Sequence, residues 1–160
     1  MHRVVHLTHV DHAAAASLRD LAVELRPSGL REHGLASAIS RHAARVAESS
    51  GIEVDLALDG LPEMLDEQTE IALFRVVQEA LTNVARHSGS RRASVLATAL
   101  GDRLRLVVED EGRGFDPAAP TGRLGLAGIR ERVELIGGEL RIESSPGAGT
   151  AVIVDLVLVP

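Results

Sequence analysis

The chain has 160 residues, of which 45% are hydrophobic and 25% charged, and its net charge at pH 7 is −6. This length and composition predict one globular domain with its own core, and they argue against a general nucleic-acid binder, which needs a basic face. The absence of cysteine excludes disulfides, thiolate metal sites and cysteine nucleophiles.

Helical periodicity marks the first third of the chain. Apolar residues at helical spacing predict a helix over 1–26, and the Pro-x-Gly sequence at 27–29 ends it. The leucines of its stripe are Leu18, Leu21 and Leu25. A second helix is predicted over 35–49. Its apolar side comprises Leu35, Ile39, Ala43, Val46 and Ala47.

A strand and a long helix follow. Apolar and polar residues alternate over 52–58, which predicts a half-buried strand, and the sequence Asp-Gly-Leu-Pro at 59–62 predicts a turn. The next helix is predicted over 66–87, with Asp66 as its N-cap and a Ser-Gly-Ser sequence at its end. Its core face comprises Ile71, Phe74, Val77, Leu81 and Val84.

The last part of the chain predicts two hairpins separated by a helix. Strands are predicted over 93–100 and 103–109, because the dipeptide Gly101-Asp102 between them is a hairpin turn signal. A helix is predicted over 126–136, where a Gly-Gly pair ends it. The final hairpin joins 140–143 and 150–158. This element order predicts an α+β fold, a two-layer sandwich whose mixed sheet carries helices on one face.

Three segments carry residues suited to chemistry, and the first lies on the long helix. Glu79, Asn83, Arg86 and His87 are three or four residues apart and therefore share one helical face. Carboxylate and amide oxygens suit Mg²⁺, and basic side chains suit phosphate oxygens. The alternative is an ordinary solvated polar face, which is common on surface helices.

The second segment is Asp110-Glu111-Gly112-Arg113-Gly114-Phe115, directly after an apolar strand. A carboxylate at a strand end can accept a hydrogen bond from an amine, and the glycines allow a sharp turn and close approach of a ligand. The alternative is a plain acidic turn, because this pattern is common by chance.

The third segment, 122–128, is rich in glycine and leads into a helix. Backbone N–H groups and a helix N-terminus can form an anion site. The segment matches neither a P-loop nor the dinucleotide fingerprint, since it lacks Gly-Lys-Ser/Thr and a parallel βαβ unit. A flexible linker is the alternative.

Together, the order of these segments resembles the ATP-binding catalytic domain of sensor histidine kinases, in the GHKL ATPase superfamily. Residues 74–87 look like the N box, 110–115 like the first glycine box, 122–132 like the second, and 147–150 like the closing segment. The resemblance covers 52–160 strongly. It extends more faintly over 18–51, toward the second dimerisation helix of the nitrate- and desaturase-sensor type.

The resemblance implies the Bergerat fold, with a dimerisation-helix remnant and linker at 1–34 and a catalytic domain at 35–160. It implies that Asn83 ligates Mg²⁺ and that Glu79 orients a water on the metal or acts as a base. Asp110 would bind the adenine amino group, assisted by Thr150 through a water, and 116–124 would form a short ATP lid. The other ATP-binding residues implied are Arg86, His87, Gly112, Gly114, Gly125, Leu126 and Gly128.

The implied function is supply of the γ-phosphoryl of Mg·ATP to a phosphoacceptor histidine. That histidine is usually followed by Asp or Glu, and none of the seven histidines here is. We therefore expect a fragment of a kinase, without autophosphorylation by this chain alone. Its partners would be ATP or ADP, the kinase's own phosphoacceptor-His dimerisation domain and, indirectly, a response regulator. No apolar run reaches the roughly 18 residues that span a bilayer, so we expect a cytoplasmic location without membrane contact.

Two alternatives use the same fold. One is an anti-sigma-type serine/threonine kinase, which phosphotransfer to a serine-bearing partner would identify. The other is a stand-alone GHKL module, either ATP-binding or reduced to a non-catalytic interaction module. Absence of ATP affinity would favour the non-catalytic form. Separately, His2, His6, His9 and His12 share a helical face that could hold Zn²⁺ or Ni²⁺. We favour a polar stripe on a frayed terminus instead.

Overall fold

The structure is a computed structural model that describes residues 27, 29–119 and 124–159. The helix predicted over 1–26, with its leucine stripe and histidine cluster, lies outside the described residues, as does part of the predicted lid. Among the described helices, none is long and apolar enough to cross a membrane.

Within the described ranges, three helices form one layer. α1 is Leu30–Ser50, α2 is Glu67–Asn83, and α3 is Leu124–Leu135. A π-helical turn, Val84–Ser88, continues α2. The α-helix predicted to reach residue 87 thus changes its backbone pairing after Asn83, because a π turn pairs each residue one position further along the chain.

The start of α1 also differs from the prediction. The chain is helical from Leu30, but Gly34 has φ 80° and ψ 175°, so the helix is interrupted there and resumes at Leu35. Leu30 is fully buried, which anchors the short turn before the interruption to the core. The predicted start at residue 35 therefore matches the continuous part of the helix.

α2 is the central helix. Its N-cap prediction is confirmed, because the Asp66 carboxylate accepts the backbone N–H of Thr69 at 2.9 Å and the Thr69 hydroxyl at 2.7 Å. These bonds hold the pKa of Asp66 below its usual value. α2 packs on α1 and α3 as well as on the sheet. Its buried apolar residues are Ile71, Ala72, Leu73, Phe74, Val76, Val77, Ala80 and Leu81.

Five strands of the part of the chain that the structure describes form one sheet. They are β1 Glu53–Ala57, β2 Arg92–Leu100, β3 Arg103–Asp110, β4 Glu139–Ser144 and β5 Thr150–Val157. The order across the sheet is β1-β2-β3-β5-β4, with β1 parallel to β2 and every other pair antiparallel. Both predicted hairpins are present.

Side-chain alternation divides the sheet into two faces. Val95, Val108 and Val152 are successive register partners, and all three are buried with the helices in one core. The opposite face carries charged pairs, such as the Arg105–Asp155 ion pair between β3 and β5. The predicted α+β sandwich, with a mixed sheet and helices on one face, is confirmed.

The topology brings the ends of four elements to one end of the sheet. Asp110 at the end of β3 is the register partner of Thr150 at the start of β5. The C-terminal end of α2 and the start of α3 border the same space. Residues far apart in the chain therefore meet at this corner.

Candidate functional site

A cavity of about 380 Å³ lies at this corner, a size typical of a small-molecule site. Its walls are the end of α2 with the π turn, the ends of β3 and β5, and the start of α3. The lining residues are Glu79, Ala80, Thr82, Asn83, Val84, Arg86, His87, Ser88, Val108, Asp110, Arg113, Gly114, Phe115, Gly125, Leu126, Thr150 and Val152.

The α2 wall carries the first predicted cluster. Glu79, Asn83, Arg86 and His87 all line the cavity, with Glu79 and Asn83 half-buried and the two basic residues exposed. Glu79 and Asn83 lie on α2, whereas Arg86 and His87 lie within the π turn, and π turns inside helices are frequent at functional sites. Val84, predicted on the core face, lies in the cavity wall as well as in the core.

Asp110 lies at the opposite, sheet-side end. Its Oδ1 accepts the backbone N–H of Gly112 at 2.7 Å. Burial raises the pKa of the Asp110 carboxyl above its usual value, and backbone N–H groups of Gly112 and Thr150 act in the opposite direction. The desolvated carboxylate can therefore accept a strong hydrogen bond from a ligand amine.

The loop after Asp110 is clamped on both sides by hydrogen bonds. On one side, the Arg113 N–H donates to the Ser88 carbonyl at 2.8 Å. On the other, the Phe115 N–H donates to the Ser144 hydroxyl at 2.9 Å, and that hydroxyl lies 2.9 Å from Thr150 Oγ1. Because these bonds fix the backbone, the sheet-side end of the cavity is pre-formed.

Steric limits explain two glycines of this loop. A Cβ on Gly112 would collide with the Ser88 carbonyl oxygen, and one on Gly114 would collide with the Ser145 carbonyl oxygen. Gly114 also has φ +61°, a conformation that other residues rarely adopt. Gly114 lines the cavity, whereas Gly112 lies outside the lining and shapes it by holding Asp110.

The start of α3 forms the remaining wall. Gly125 and Leu126 line the cavity, as predicted for that segment, but Gly128 does not. A Cβ on Gly125 would collide with Glu79 Oε1, so the backbone of α3 approaches this carboxylate closely. Gly128 instead lies beside the Arg132 side chain, whose Nη1 would be 3.0 Å from a Cβ there.

The donor set for a metal is limited. Glu79 and Asn83 offer a carboxylate and an amide oxygen, the oxygen ligands that Mg²⁺ takes. Within the described part of the chain, no group of three His, Cys, Asp or Glu side chains could hold a metal ion. These residues fit a Mg²⁺ ion that keeps waters and shares ligand phosphate oxygens, and they do not fit an all-protein metal cage.

Several lining residues were not predicted as site residues. Arg113 is the main one: its guanidinium lies over Gly89, with Nη2 3.2 Å from a Cβ built there. Its position within the segment 110–115 was a usable signal. No such signal marked Ser88, Val108 or Val152, because a buried serine and alternating valines are ordinary features of helix ends and strands.

Comparison with known proteins gives consistent matches. Residues 68–160 match the family model described as "Histidine kinase-, DNA gyrase B-, and HSP90-like ATPase". The chain is 38% identical over 154 residues to sensor histidine kinase YhcY of Bacillus subtilis (strain 168), covering 95% of this chain and 39% of that protein. It is 34% identical over 145 residues to signal transduction histidine-protein kinase/phosphatase DegS of Brevibacillus brevis, covering 90% and 38%.

A solved structure matches the same fold. The histidine kinase domain of the blue-light activated histidine kinase EL346 from Erythrobacter litoralis superposes with a TM-score of 0.68 at 27% identity, covering 78% of this chain and 61% of that one. This chain spans about two fifths of the length of the two curated relatives.

Proposed function

Because the chain belongs to the family of histidine kinase-, DNA gyrase B- and HSP90-like ATPases, we propose that its cavity binds Mg·ATP as the catalytic domain of a sensor histidine kinase. One observation carries the proposal. A single cavity has a desolvated carboxylate at its sheet end, and at its helix end an oxygen-donor pair with a guanidinium and an imidazole.

The sheet end suits adenine. The Asp110 carboxylate would accept a hydrogen bond from the exocyclic amino group of adenine, and the Thr150 hydroxyl would contact the adenine through a water. Val108 and Val152 present apolar surface from β3 and β5, against which a purine ring can pack. The clamped loop holds Asp110 in place before the ligand arrives, which lowers the entropic cost of binding.

The helix end suits the phosphates. Asn83 would ligate Mg²⁺, and Glu79 would orient a water on it or act as a base. Arg86 and His87 would contact phosphate oxygens, together with backbone N–H groups at the start of α3 around Gly125 and Leu126. Bound Mg²⁺ supplies charge neutralisation, and the protein supplies positioning for in-line transfer of the γ-phosphoryl.

The phosphoryl group would pass to an imidazole nitrogen of the kinase's phosphoacceptor domain and then to a response regulator. Residues 1–34 would belong to the dimerisation helix and linker, and the helix interruption at Gly34 supports a boundary there. Assignment to the nitrate- and desaturase-sensor type rests on the resemblance over 18–51. We place the domain in the cytoplasm, where ATP is supplied.

Replacing Asn83 with Ala tests the proposal. Without its amide oxygen, the Mg²⁺-dependent part of ATP affinity is lost, whereas Mg²⁺-free binding through the adenine end persists. Calorimetric titration of ATP in the presence of Mg²⁺ and in the presence of EDTA gives two affinities. Their ratio should fall to about 1 in the variant. The matched control is Asn83→Asp, which keeps an oxygen ligand. Absence of ATP binding by the wild-type chain would overturn the proposal.

Acidification is expected to weaken nucleotide binding through Asp110. Because the pKa of Asp110 is raised from 3.8, its carboxylate is protonated at a higher pH than that of an ordinary Asp. The protonated group has no negative charge with which to accept a hydrogen bond from the ligand's amino group. ADP affinity measured by calorimetry should fall as pH decreases through that raised pKa. Asp110→Asn, which cannot titrate, supplies the reference curve, and a parallel decline in both proteins would contradict the assignment.

The raised pKa of Asp110 also affects folding stability, which acidification should increase at this group although it weakens nucleotide binding. Between 3.8 and the raised pKa, the folded chain binds more protons at Asp110 than the unfolded chain does. The contribution of this group to the free energy of unfolding therefore falls as pH rises through that interval. Urea denaturation of wild type and Asp110→Asn across the interval measures the difference.

A further inference from the structure

Ser144, the last residue of β4, lies behind the sheet end of the cavity of about 380 Å³, which we call the nucleotide cavity. Its register partner on β5 is Thr150, whose side chain lines the nucleotide cavity, whereas that of Ser144 does not. Ser144 is half-buried. The proposed function uses Thr150 and gives Ser144 no role, although the Ser144 hydroxyl joins several parts of the chain at this point.

Three contacts meet on the Ser144 hydroxyl. The Phe115 N–H donates to it at 2.9 Å, and it donates to the Gly149 carbonyl at 2.9 Å. The third contact is with Thr150 Oγ1, which also lies 2.9 Å away. A hydroxyl has one proton to donate and two lone pairs with which to accept. These contacts therefore use the full hydrogen-bonding capacity of Ser144.

The partners of Ser144 determine the direction of its bond with Thr150. The Gly149 carbonyl can only accept, so the single Ser144 proton goes there, and the Phe115 N–H can only donate. The bond between the two hydroxyls is then donated by Thr150. Because the Thr150 proton points to Ser144, the lone pairs of Thr150 are left for a ligand or a water in the nucleotide cavity.

The sheet end of the nucleotide cavity therefore presents acceptors from two neighbouring strands. Asp110 on β3 and Thr150 on β5 are register partners, and both line the cavity. An exocyclic amino group and a water that donates its protons satisfy such acceptors, whereas a freely rotating Thr150 hydroxyl would direct its own proton at the ligand part of the time. Fixing that proton before the ligand arrives lowers the cost of ordering on binding.

Other bonds hold the hairpin between β4 and β5 against the loop after Asp110. The Gly149 N–H donates to the Gly112 carbonyl at 3.0 Å, and the Gly147 N–H donates to the Arg113 carbonyl at 2.6 Å. Both are direct backbone bonds that do not involve a side chain. Loss of the Ser144 hydroxyl therefore leaves the two segments joined, and what it removes specifically is the acceptor for the Thr150 proton.

We propose that Ser144 is a positioning residue for adenine recognition, because its hydroxyl takes the Thr150 proton and leaves Thr150 as an acceptor toward the nucleotide. Ser144 acts through Thr150 and does not contact the ligand itself. The inference rests on the proposed function, since it assigns a role within the same nucleotide site.

The test measures how far the effect of Ser144→Ala on ADP affinity depends on the hydroxyl of residue 150. Calorimetry in the presence of Mg²⁺ gives the ADP affinity with and without Ser144→Ala in the wild-type chain, in Thr150→Ser and in Thr150→Val. Thr150→Ser keeps the hydroxyl, and Thr150→Val keeps the branched shape without it. The matched control is Ser145→Ala, which removes the adjacent, exposed hydroxyl outside the nucleotide cavity.

We expect Ser144→Ala to weaken ADP binding about 5- to 10-fold in the wild-type chain and in Thr150→Ser, but by less than about twofold in Thr150→Val. Ser145→Ala should leave the ADP affinity within about twofold of wild type. Ser144→Cys provides a second variant closer to serine in shape, and it should give the same pattern of losses, because a thiol is a weak donor and acceptor. Circular dichroism verifies that each variant is folded.

Three results would overturn the inference and leave the proposed function in place. The first is equal weakening by Ser144→Ala in Thr150→Ser and Thr150→Val, since Ser144 would then act through the hairpin backbone. The second is an unchanged affinity in Ser144→Ala, and the third is an equal loss in Ser145→Ala. Failure of the wild-type chain to bind ADP would overturn both the inference and the proposed function.

Discussion

Asp110→Ala is expected to weaken ATP binding by about 10- to 100-fold, the range for losing a hydrogen bond to a charged group in a desolvated site. The carboxylate is the acceptor at the sheet end of the cavity, and burial strengthens its interaction with a ligand donor. Calorimetric titration of Mg·ATP into the two proteins gives the ratio directly.

Glu109→Ala is the matched control for that experiment. Glu109 is the preceding residue of β3 and has the same charge, but its side chain lies on the outer face, where Ser94 donates to it at 3.2 Å. Its removal should leave ATP affinity within about twofold of wild type, since its exposed side chain lies on the other face of the sheet and water weakens its interactions with a ligand. Equal losses in both variants would show that net charge matters and the position of Asp110 does not.

Gly114→Ala is expected to destabilise the fold by about 3 kcal/mol. About 1 kcal/mol comes from placing alanine at φ +61°, and the rest from overlap of its Cβ with the Ser145 and Gly149 carbonyl oxygens. Backbone oxygens cannot move aside as a flexible side chain can. Thermal denaturation followed by circular dichroism should show Tm lower by about 12 °C.

Gly101→Ala separates the two causes. Gly101 has nearly the same backbone angle, φ +63°, but no atom lies within 4 Å of the position that a Cβ would take. Only the conformational cost applies, so Tm should fall by about 4 °C. Similar losses at the two glycines would contradict the clash inferred at Gly114.

Local sequence signals predicted most of the fold. The Asp66 cap and the Gly101-Asp102 turn depend on chemistry within a few residues, and both are confirmed. The sheet order was not predictable in this way. Pairing of β1 with β2 in parallel, and the position of β5 between β3 and β4, depend on contacts between distant segments.

The candidate site was likewise predictable only where local sequence signals determine it. Motif spacing predicted which segments carry Glu79, Asn83 and Asp110, and the structure brings these residues to one cavity. It could not predict the π turn, because backbone pairing at Val84–Ser88 leaves no mark on side-chain periodicity. The motif at 110–115 contains Arg113 and so offered a signal, but the placement of the Arg113 backbone beside the cavity depends on its hydrogen bonds to Ser88 and to the final hairpin.

The two outer strands of the described sheet, β1 and β4, have a consequence for the behaviour of the domain in concentrated solution. An unpaired strand edge can template aggregation by accepting a strand from another molecule. Both strands are short, and their outer-face residues are charged: Glu53 and Asp55 on β1, and Glu139, Arg141 and Glu143 on β4. A strand added at either edge would bring its own side chains against these charges, so the sheet is protected from growing by intermolecular pairing.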